Sequence, residues 1–451
     1  MKFFTITRRV FLKIFLSIVT TVTSLPILKT FSNLSKARHH ITKTKRIELE
    51  VSPITNTEID KNKLFQEKNL GISPDGFSHI YVAQNGTPEQ NIKKVLEMMG
   101  GIESIISKDD IVILKPNAQW WNQGMTNTDA MKTFIEEILR IRGFQGEIIV
   151  AENHHFLHWL YGANIRGWTT NARNGSFNLN ELVNFFRNKG YKNVTKYHWI
   201  DAGEFLGKSK FFEKIEHKMI KIWKRKSKII NNPEEGDGYV WTNIEYEYEG
   251  RKTKMTYPIF TSNYTKIKID FKNGPWENGN YTNQPLKFIN FSALNHHSNY
   301  AGVTASIKNY LGVVDLSCGY IGKEPKNYFN FHYIGFPAMG GAVATFMKTI
   351  RFADLNIITA EWVGYGCRVN PKLATKTKTI LASIDPVALD YYAAKYILLP
   401  VTKKAPNGKK YISLNDPDNK TGPFRKYLEE CHKQGIGTLN ENQMIIHLFK
   451  F

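Results

Sequence analysis

Ile111-Val112-Ile113-Leu114-Lys115-Pro116-Asn117, then Thr126-Asn127-Thr128-Asp129, then Glu147-Ile148-Ile149-Val150-Ala151 decide how this chain is built. The first run is apolar and largely β-branched, the composition of a buried strand. Pro116 closes it, because proline cannot continue a central strand. Thr126 to Asp129 reads as a helix start with a carboxylate three residues on, in the manner of a capping box, although Asp stands where Glu is usual. Met131, Phe134, Ile135, Ile138 and Leu139 then keep one apolar face, and Gly143 ends the helix. Residues 147–151 are the next buried strand. Strand, helix and strand with short joints make a βαβ unit, which implies a parallel pair.

Working outward, Ile80-Tyr81-Val82 reads as an earlier strand; Lys287 to Phe291, Asp354 to Thr359 and Lys378 to Ala382 read as later ones. Ala301 to Leu311 reads as a helix of small residues, with Lys308 six positions after Gly302. Asp385-Pro386 opens another helix, with Asp at the N-cap and proline in the first turn. Between about 160 and 285 the composition shifts to Asn, Tyr, Lys and Gly, and two alternating runs meet at Glu249-Gly250 as a hairpin. The expected fold is α/β, a mostly parallel sheet with flanking helices plus a large, partly β insertion or cap lobe. Residues 76–451 form that domain, interrupted by the insertion at about 160–285.

The 451 residues are 42% hydrophobic and 13% aromatic, enough to bury a sizeable core, so wholesale disorder is excluded. No apolar run reaches the roughly 18 residues of a membrane span, which excludes a polytopic membrane protein. Cys318, Cys367 and Cys431 are far apart and odd in number, so they make neither a disulfide framework nor a CxxC metal ribbon. Lys and Arg number 61 against 40 Asp and Glu, a formal charge of +21. The densest basic patch, Lys208 to Lys228, carries Phe212, Ile215, Met219, Ile222 and Trp223 at helical spacing and reads as an amphipathic basic helix.

Lys2, Arg8, Arg9, Lys13, Lys29 and Lys36 make the first 37 residues basic, with no acid among them. Thr7-Arg8-Arg9-Val10-Phe11-Leu12-Lys13, ahead of a mildly apolar run from Ile14 to Leu28, is the twin-arginine export pattern. Residues 1–37 are expected to be a twin-arginine signal peptide and 38–75 a polar tether. Ser35-Lys36-Ala37 is a weak cleavage site; uncleaved, the leader would stay as an anchor. The expected location is the periplasm or the outer face of the cytoplasmic membrane, with the export machinery as a partner. An exported chain meets no genome, which argues against nucleic acid as the counterpart of the charge and favours an anionic membrane surface or polymer.

Five strand ends carry reactive or hydrogen-bonding residues: Lys115 and Asn117; Glu152, Asn153, His154 and His155; Asn295, His296 and His297; Glu361; Ser383 and Asp385. Ligands of open α/β sheets bind beyond the carboxyl ends of the strands, so parallel strands would gather these groups on one rim. The imidazoles with Glu152 or Glu361 suit proton transfer or a divalent metal, for which His154, His155 and Glu361 are the candidate ligands. Adjacent histidines on an extended chain point to opposite faces, so at most one of each pair enters the site. There is no GxSxG elbow, P-loop or GxGxxG, which argues against serine hydrolase, NTPase and dinucleotide-binding chemistry. Gly335 to Gly341 lacks the spacing of a phosphate cradle and reads as a flexible loop; Cys367 is notable beside Arg368.

Lys115-Pro116-Asn117, Thr126-Asn127 before a helix, Gly302-Val303-Thr304-Ala305-Ser306-Ile307-Lys308-Asn309-Tyr310-Leu311-Gly312-Val313-Val314 and Ser383-Ile384-Asp385-Pro386-Val387-Ala388-Leu389-Asp390 together resemble the domain of unknown function 362 family, over roughly residues 108–398. The resemblance implies no agreed activity; some members carry four-iron cluster modules and some a twin-arginine leader. This chain departs from the pattern: Leu294 or Asn295 stands where a lysine is usual, His296 and His297 are both candidates for the family histidine, and the cluster cysteines are missing. No iron–sulfur module is therefore expected. A more distant likeness, in the order of His296 or His297 and Lys308, is to the lactate racemase family.

Two functions are weighed. The favoured one is an exported enzyme, dependent on an organic cofactor or divalent metal, that acts on an anionic small molecule by redox or isomerase-like chemistry. Lys115 and Lys308 would neutralise the anion, Asn117 and Asn309 orient it, Glu152 and His297 move protons, His296 and Asp385 complete the rim, and Asp390 support it from behind. The other is a non-catalytic cell-envelope protein that binds anionic lipid or polymer.

Overall fold

Period-two alternation with both faces apolar puts the strands at the centre of the molecule. The computed structural model describes residues 69–153, 166–170, 175–199, 228–316, 318 and 328–451, all within the compact unit Ile59–Phe451. The leader, most of the tether, the stretch 208–227, and His154 and His155 lie outside the described residues. In chain order the first strands are β1 (Ser78–Gln84), β2 (Ile111–Lys115), β3 (Glu147–Glu152) and β4 (Val194–His198). Then come β5 (Ile229–Ile230), β6 (Gly238–Tyr248), β7 (Arg251–Thr261), β8 (Lys268–Asp270), β9 (Gly274–Glu277) and β10 (Asn280–Tyr281). The last are β11 (Leu286–Ser298), β12 (Gly302–Thr304), β13 (Leu355–Gly364), β14 (Thr375–Ser383) and β15 (Met444–Lys450).

The main sheet runs β15-β1-β14-β13-β11-β2-β3-β4, with β12 paired to β11. From β13 through β11, β2 and β3 to β4 every neighbour is parallel, as the βαβ reading requires. Ile111 and Ile113 enter one apolar cluster and Val112 and Leu114 the other, so β2 is covered on both faces. Helices α1 (Pro88–Met98), α2 (Thr128–Arg140) and α3 (Leu179–Asn188) cover the second face. The first face carries α4 (Ser306–Asn309), α5 (Ala338–Thr349), α6 (Pro386–Ala393) and α7 (Pro423–Lys433), together with the smaller sheet. That sheet, β10-β9-β8-β7-β6-β5, comes wholly from residues 229–281. Its β6–β7 hairpin turns at Glu249 and Gly250, whose φ values of 49° and 75° are the two positive angles of a type I′ turn.

Four local expectations are corrected. The N-cap of α2 is Asn127, whose side chain accepts from Ala130 N, while Asp129 accepts from Ser176 N across the joint. The segment 301–311 is not one helix: β-branched Val303 and Thr304 pair with β11, and only Ser306–Asn309 coils before a 3-10 turn at Tyr310–Gly312. Gly335 to Gly341 is no flexible loop, since α5 begins at Ala338 and packs Gly340 on Tyr427 and Gly341 on Tyr246. Most consequential, β14 runs antiparallel to both β13 and β1, with Ser383 opposite Asn356 at the start of β13. Ser383 therefore lies beside the amino end of β13, level across the register with Asn356, Asn290 and Lys115, and not beyond the carboxyl end of β13.

Candidate functional site

A line of side chains on the first face of the sheet builds the site from below. Register places Lys115, Asn290 and Asn356 level on β2, β11 and β13. The Asn290 amide donates to Asn356 Oδ1 at 2.8 Å, and the Asn309 amide donates to Asn290 Oδ1 at 2.8 Å. Lys115 Nζ spends all three protons, on Asn309 Oδ1 at 2.7 Å, Pro116 O at 2.7 Å and Glu152 Oε1 at 3.1 Å. The second Glu152 oxygen accepts from Ala118 N at 2.6 Å. Burial pulls Lys115 down and pushes Glu152 up, and each charge opposes the other's shift. A β-carbon on Gly312 would lie 2.3 Å from Lys115 Nζ and 2.6 Å from Glu152 Oε1, so only glycine lets the 3-10 turn close over the pair.

Lys308, four residues before that glycine, is different. It is only 7% exposed, yet no hydrogen bond or ion pair among the described residues holds its ammonium. Burial, then repulsion from Arg368 and Lys115, lowers it to about 7. The Lys308 turn is fixed from behind by Asp390, which accepts from Ser306 N at 2.8 Å, Ser306 Oγ at 2.5 Å and Ile307 N at 3.0 Å. Burial pushes Asp390 up to about 7, against the pull of those bonds.

Lys308 opens into a cavity enclosing about 30 Å³, lined also by Lys115, Asn117, Trp120, Glu152, Asn153, His297, Thr304, His332 and Arg368. Arg368 is brought there by clasped loops: Asn122 donates to Val369 O at 2.8 Å and Gln123 to Cys367 O at 2.9 Å. Its guanidinium stacks 4.4 Å from the Trp120 ring centroid and donates to His297 O at 3.2 Å. Burial brings Arg368 down to about 10. The His297 Nδ1 lies 3.0 Å from Ser298 Oγ, and burial, then Lys308 and Arg368, holds the ring well below its ordinary value, so it is neutral. Among the described residues Thr304 Oγ1, buried on the cavity wall, has no hydrogen-bond partner, and the Asn117 amide also lines the cavity.

The structure thus brings together Lys115, Asn117, Glu152, His297, Lys308 and Asn309, six of the residues expected from sequence. Three others are elsewhere. His296 points to the other side of β11, with Nδ1 2.8 Å from Asn415 Oδ1 and its ring against Tyr411, as strand alternation demands. Glu361 does not line the cavity and pairs with Lys376 at 3.2 Å. Asp385 does not line the cavity; it caps α6 through Val387 N and Ala388 N and accepts from Thr438 N. His154 and His155 lie outside the described residues. Among the described residues no group of three or more His, Cys, Asp or Glu could hold a metal ion. Sequence reasoning passed over Arg368 except as a neighbour of Cys367; its position just past β13 on the shared rim was the available signal. Thr304 carried a signal only as part of the Gly302-Val303-Thr304 motif, and Trp120 and His332 carried none.

A family model described as Domain of unknown function (DUF362) matches residues 261–395, a stretch from the end of β7 past α6. The chain is similar to that family there, and the stretch contains His297, Thr304, Lys308, Arg368 and Asp390 but neither Lys115 nor Glu152. No curated protein and no solved structure matches the chain.

Proposed function

We propose that this chain is an enzyme that binds a small anionic molecule in the rim cavity, with the anionic group between Lys308 and Arg368. The observation that carries this reading is the buried Lys308 ammonium, which has no acid partner among the described residues and sits with Arg368 and Lys115 around one cavity. A buried cation without a counter-charge is costly, and a bound anion supplies the missing partner. Among the described residues the single carboxylate on the wall, Glu152, is already engaged by Lys115 and Ala118 N. Thr304 Oγ1 and the Asn117 amide are donors for the anion's remaining oxygens, and neutral His297 is a proton carrier beside it.

The test is a titration of the full chain with oxalate and with inorganic phosphate, followed by calorimetry. Lys308→Met and Arg368→Met should each weaken binding roughly tenfold to a hundredfold, the worth of a charged hydrogen bond. Binding that survives both substitutions unchanged would put the anion elsewhere and sink the reading. The leader supports export by the twin-arginine route as part of the same proposal. Replacing Arg8 and Arg9 together by Lys should then leave the protein in the cytoplasm on cell fractionation; unaltered export would remove that part.

A further inference from the structure

We infer that Lys308 is an amine nucleophile that condenses with the keto carbon of a small 2-oxo acid while Arg368 holds the acid's carboxylate. The inference rests on the anion-binding reading and goes beyond it in assigning a covalent step. Among the described residues two lysines line this cavity, and they differ in one respect that decides their chemistry. Lys115 has all its protons bonded to Pro116 O, Glu152 and Asn309 and cannot approach a carbonyl. The turn that carries Lys308 is anchored by Asp390 through Ser306 N and Ile307 N at the start of α4, and the Lys308 amine faces the cavity unbonded among the described residues.

A desolvated lysine beside other cations is the recurrent arrangement for imine formation, because a useful fraction of it is neutral near pH 7. The lowering of Lys308 by burial, Arg368 and Lys115 agrees with that geometry. Arg368, stiffened by stacking on Trp120, presents a fixed fork suited to a carboxylate. The keto oxygen has two candidate donors on the wall, Thr304 Oγ1 and the Asn117 amide. The small enclosed volume favours the shortest acids, glyoxylate and pyruvate.

In the step, the amine lone pair forms a carbon–nitrogen bond as the carbonyl π pair moves to oxygen. A proton passes from nitrogen to that oxygen, giving a neutral carbinolamine. The oxygen then leaves as water, taking the second amine hydrogen, and a carbon–nitrogen double bond remains. No oxidant or reductant is consumed. His297, whose Nδ1 faces Ser298 Oγ, has Nε2 left to carry the proton from nitrogen to oxygen.

The experiment incubates the full chain with glyoxylate or pyruvate and cyanoborohydride, then maps modified lysines by peptide mass spectrometry; oxalate affinity is measured in parallel. The expected result is one adduct per chain, of mass equal to the acid less one oxygen, on the peptide bearing Lys308. Near pH 7 Lys308 should react up to about a thousandfold faster than exposed lysines, the ratio of their neutral fractions. Excess oxalate should block the reaction, and Lys308→Arg, with unaltered melting, should abolish it. If oxalate binds in a Lys308- and Arg368-dependent manner but no adduct forms, or adducts scatter over surface lysines, the imine is overturned and the anion site stands. If oxalate does not bind and Lys308 is not labelled, both fall together.

Discussion

Lys115 and Lys308 are the same residue type in the same cavity, and their hydrogen bonds give them opposite roles. Removing Lys115 strands the Glu152 carboxylate and the Asn309 carbonyl in a dry interior. Lys115→Met should therefore cost about 3–5 kcal/mol, the penalty for breaking a buried ion pair by one partner. Removing Lys308 strands no partner among the described residues and relieves its repulsion with Arg368 and Lys115. Lys308→Met should leave stability within about 1 kcal/mol of the parent or raise it. Urea unfolding of both variants decides the matter: equal losses would mean that Lys308 has a structural partner after all. Gly312 belongs to the same argument, because it is the missing β-carbon that lets the turn after Lys308 lie on the Lys115–Glu152 pair.

At the level of elements, two aspartates near the same helix hold different pieces of the fold. Asp390, on α6, ties down the backbone of α4 and so aims Lys308; Asp385 caps α6 itself. Asp390→Asn loses a charged acceptor of two backbone N–H groups, and should lower oxalate affinity roughly tenfold, about one charge-assisted bond. Asp385→Asn should cost about 0.5–2 kcal/mol of stability, as helix caps do, with affinity unchanged. The reverse pattern in a paired calorimetric and melting experiment would show that the Lys308 turn is not positioned by Asp390. This division was only half legible in the sequence. Strand, helix and strand from 111 to 151 follow from local period and capping signals, and so did the rim of Lys115, Glu152 and His297. The direction of β14 did not, because an apolar run such as Ile380-Leu381-Ala382 pairs equally well either way and a long-range contact chooses. Nor was the break of 301–311 into strand and turn, where pairing of Val303 and Thr304 with β11 overrides the small-residue pattern. Asn290 and Asn356 lay unremarked inside strand segments, and their meaning appears only when register sets them level with Lys115.

Across the whole molecule these buried charges give stability a pH dependence with two limbs of opposite sign. Asp385 and Asp390 are both raised by burial from 3.8 to about 7. The folded state thus holds their protons more tightly, and the stability they contribute is full below the unfolded value and lost as pH rises through about 7. Lys308 is lowered from 10.5 to about 7, so between those values the unfolded chain binds the extra proton. Stability then rises with pH across that upper window. The ligand-free protein should show a shallow minimum near neutrality, and Lys308→Met should flatten only the upper limb. A bound anion works against this limb, since it needs the Lys308 proton: oxalate affinity should fall as pH rises through 7, while imine trapping should increase over the same interval. Urea midpoints measured across the range for both proteins, with and without oxalate, read all of these slopes at once. An upper limb that persists unchanged in Lys308→Met would mean that another group carries it. The cavity would then lack the neutral amine on which its chemistry depends.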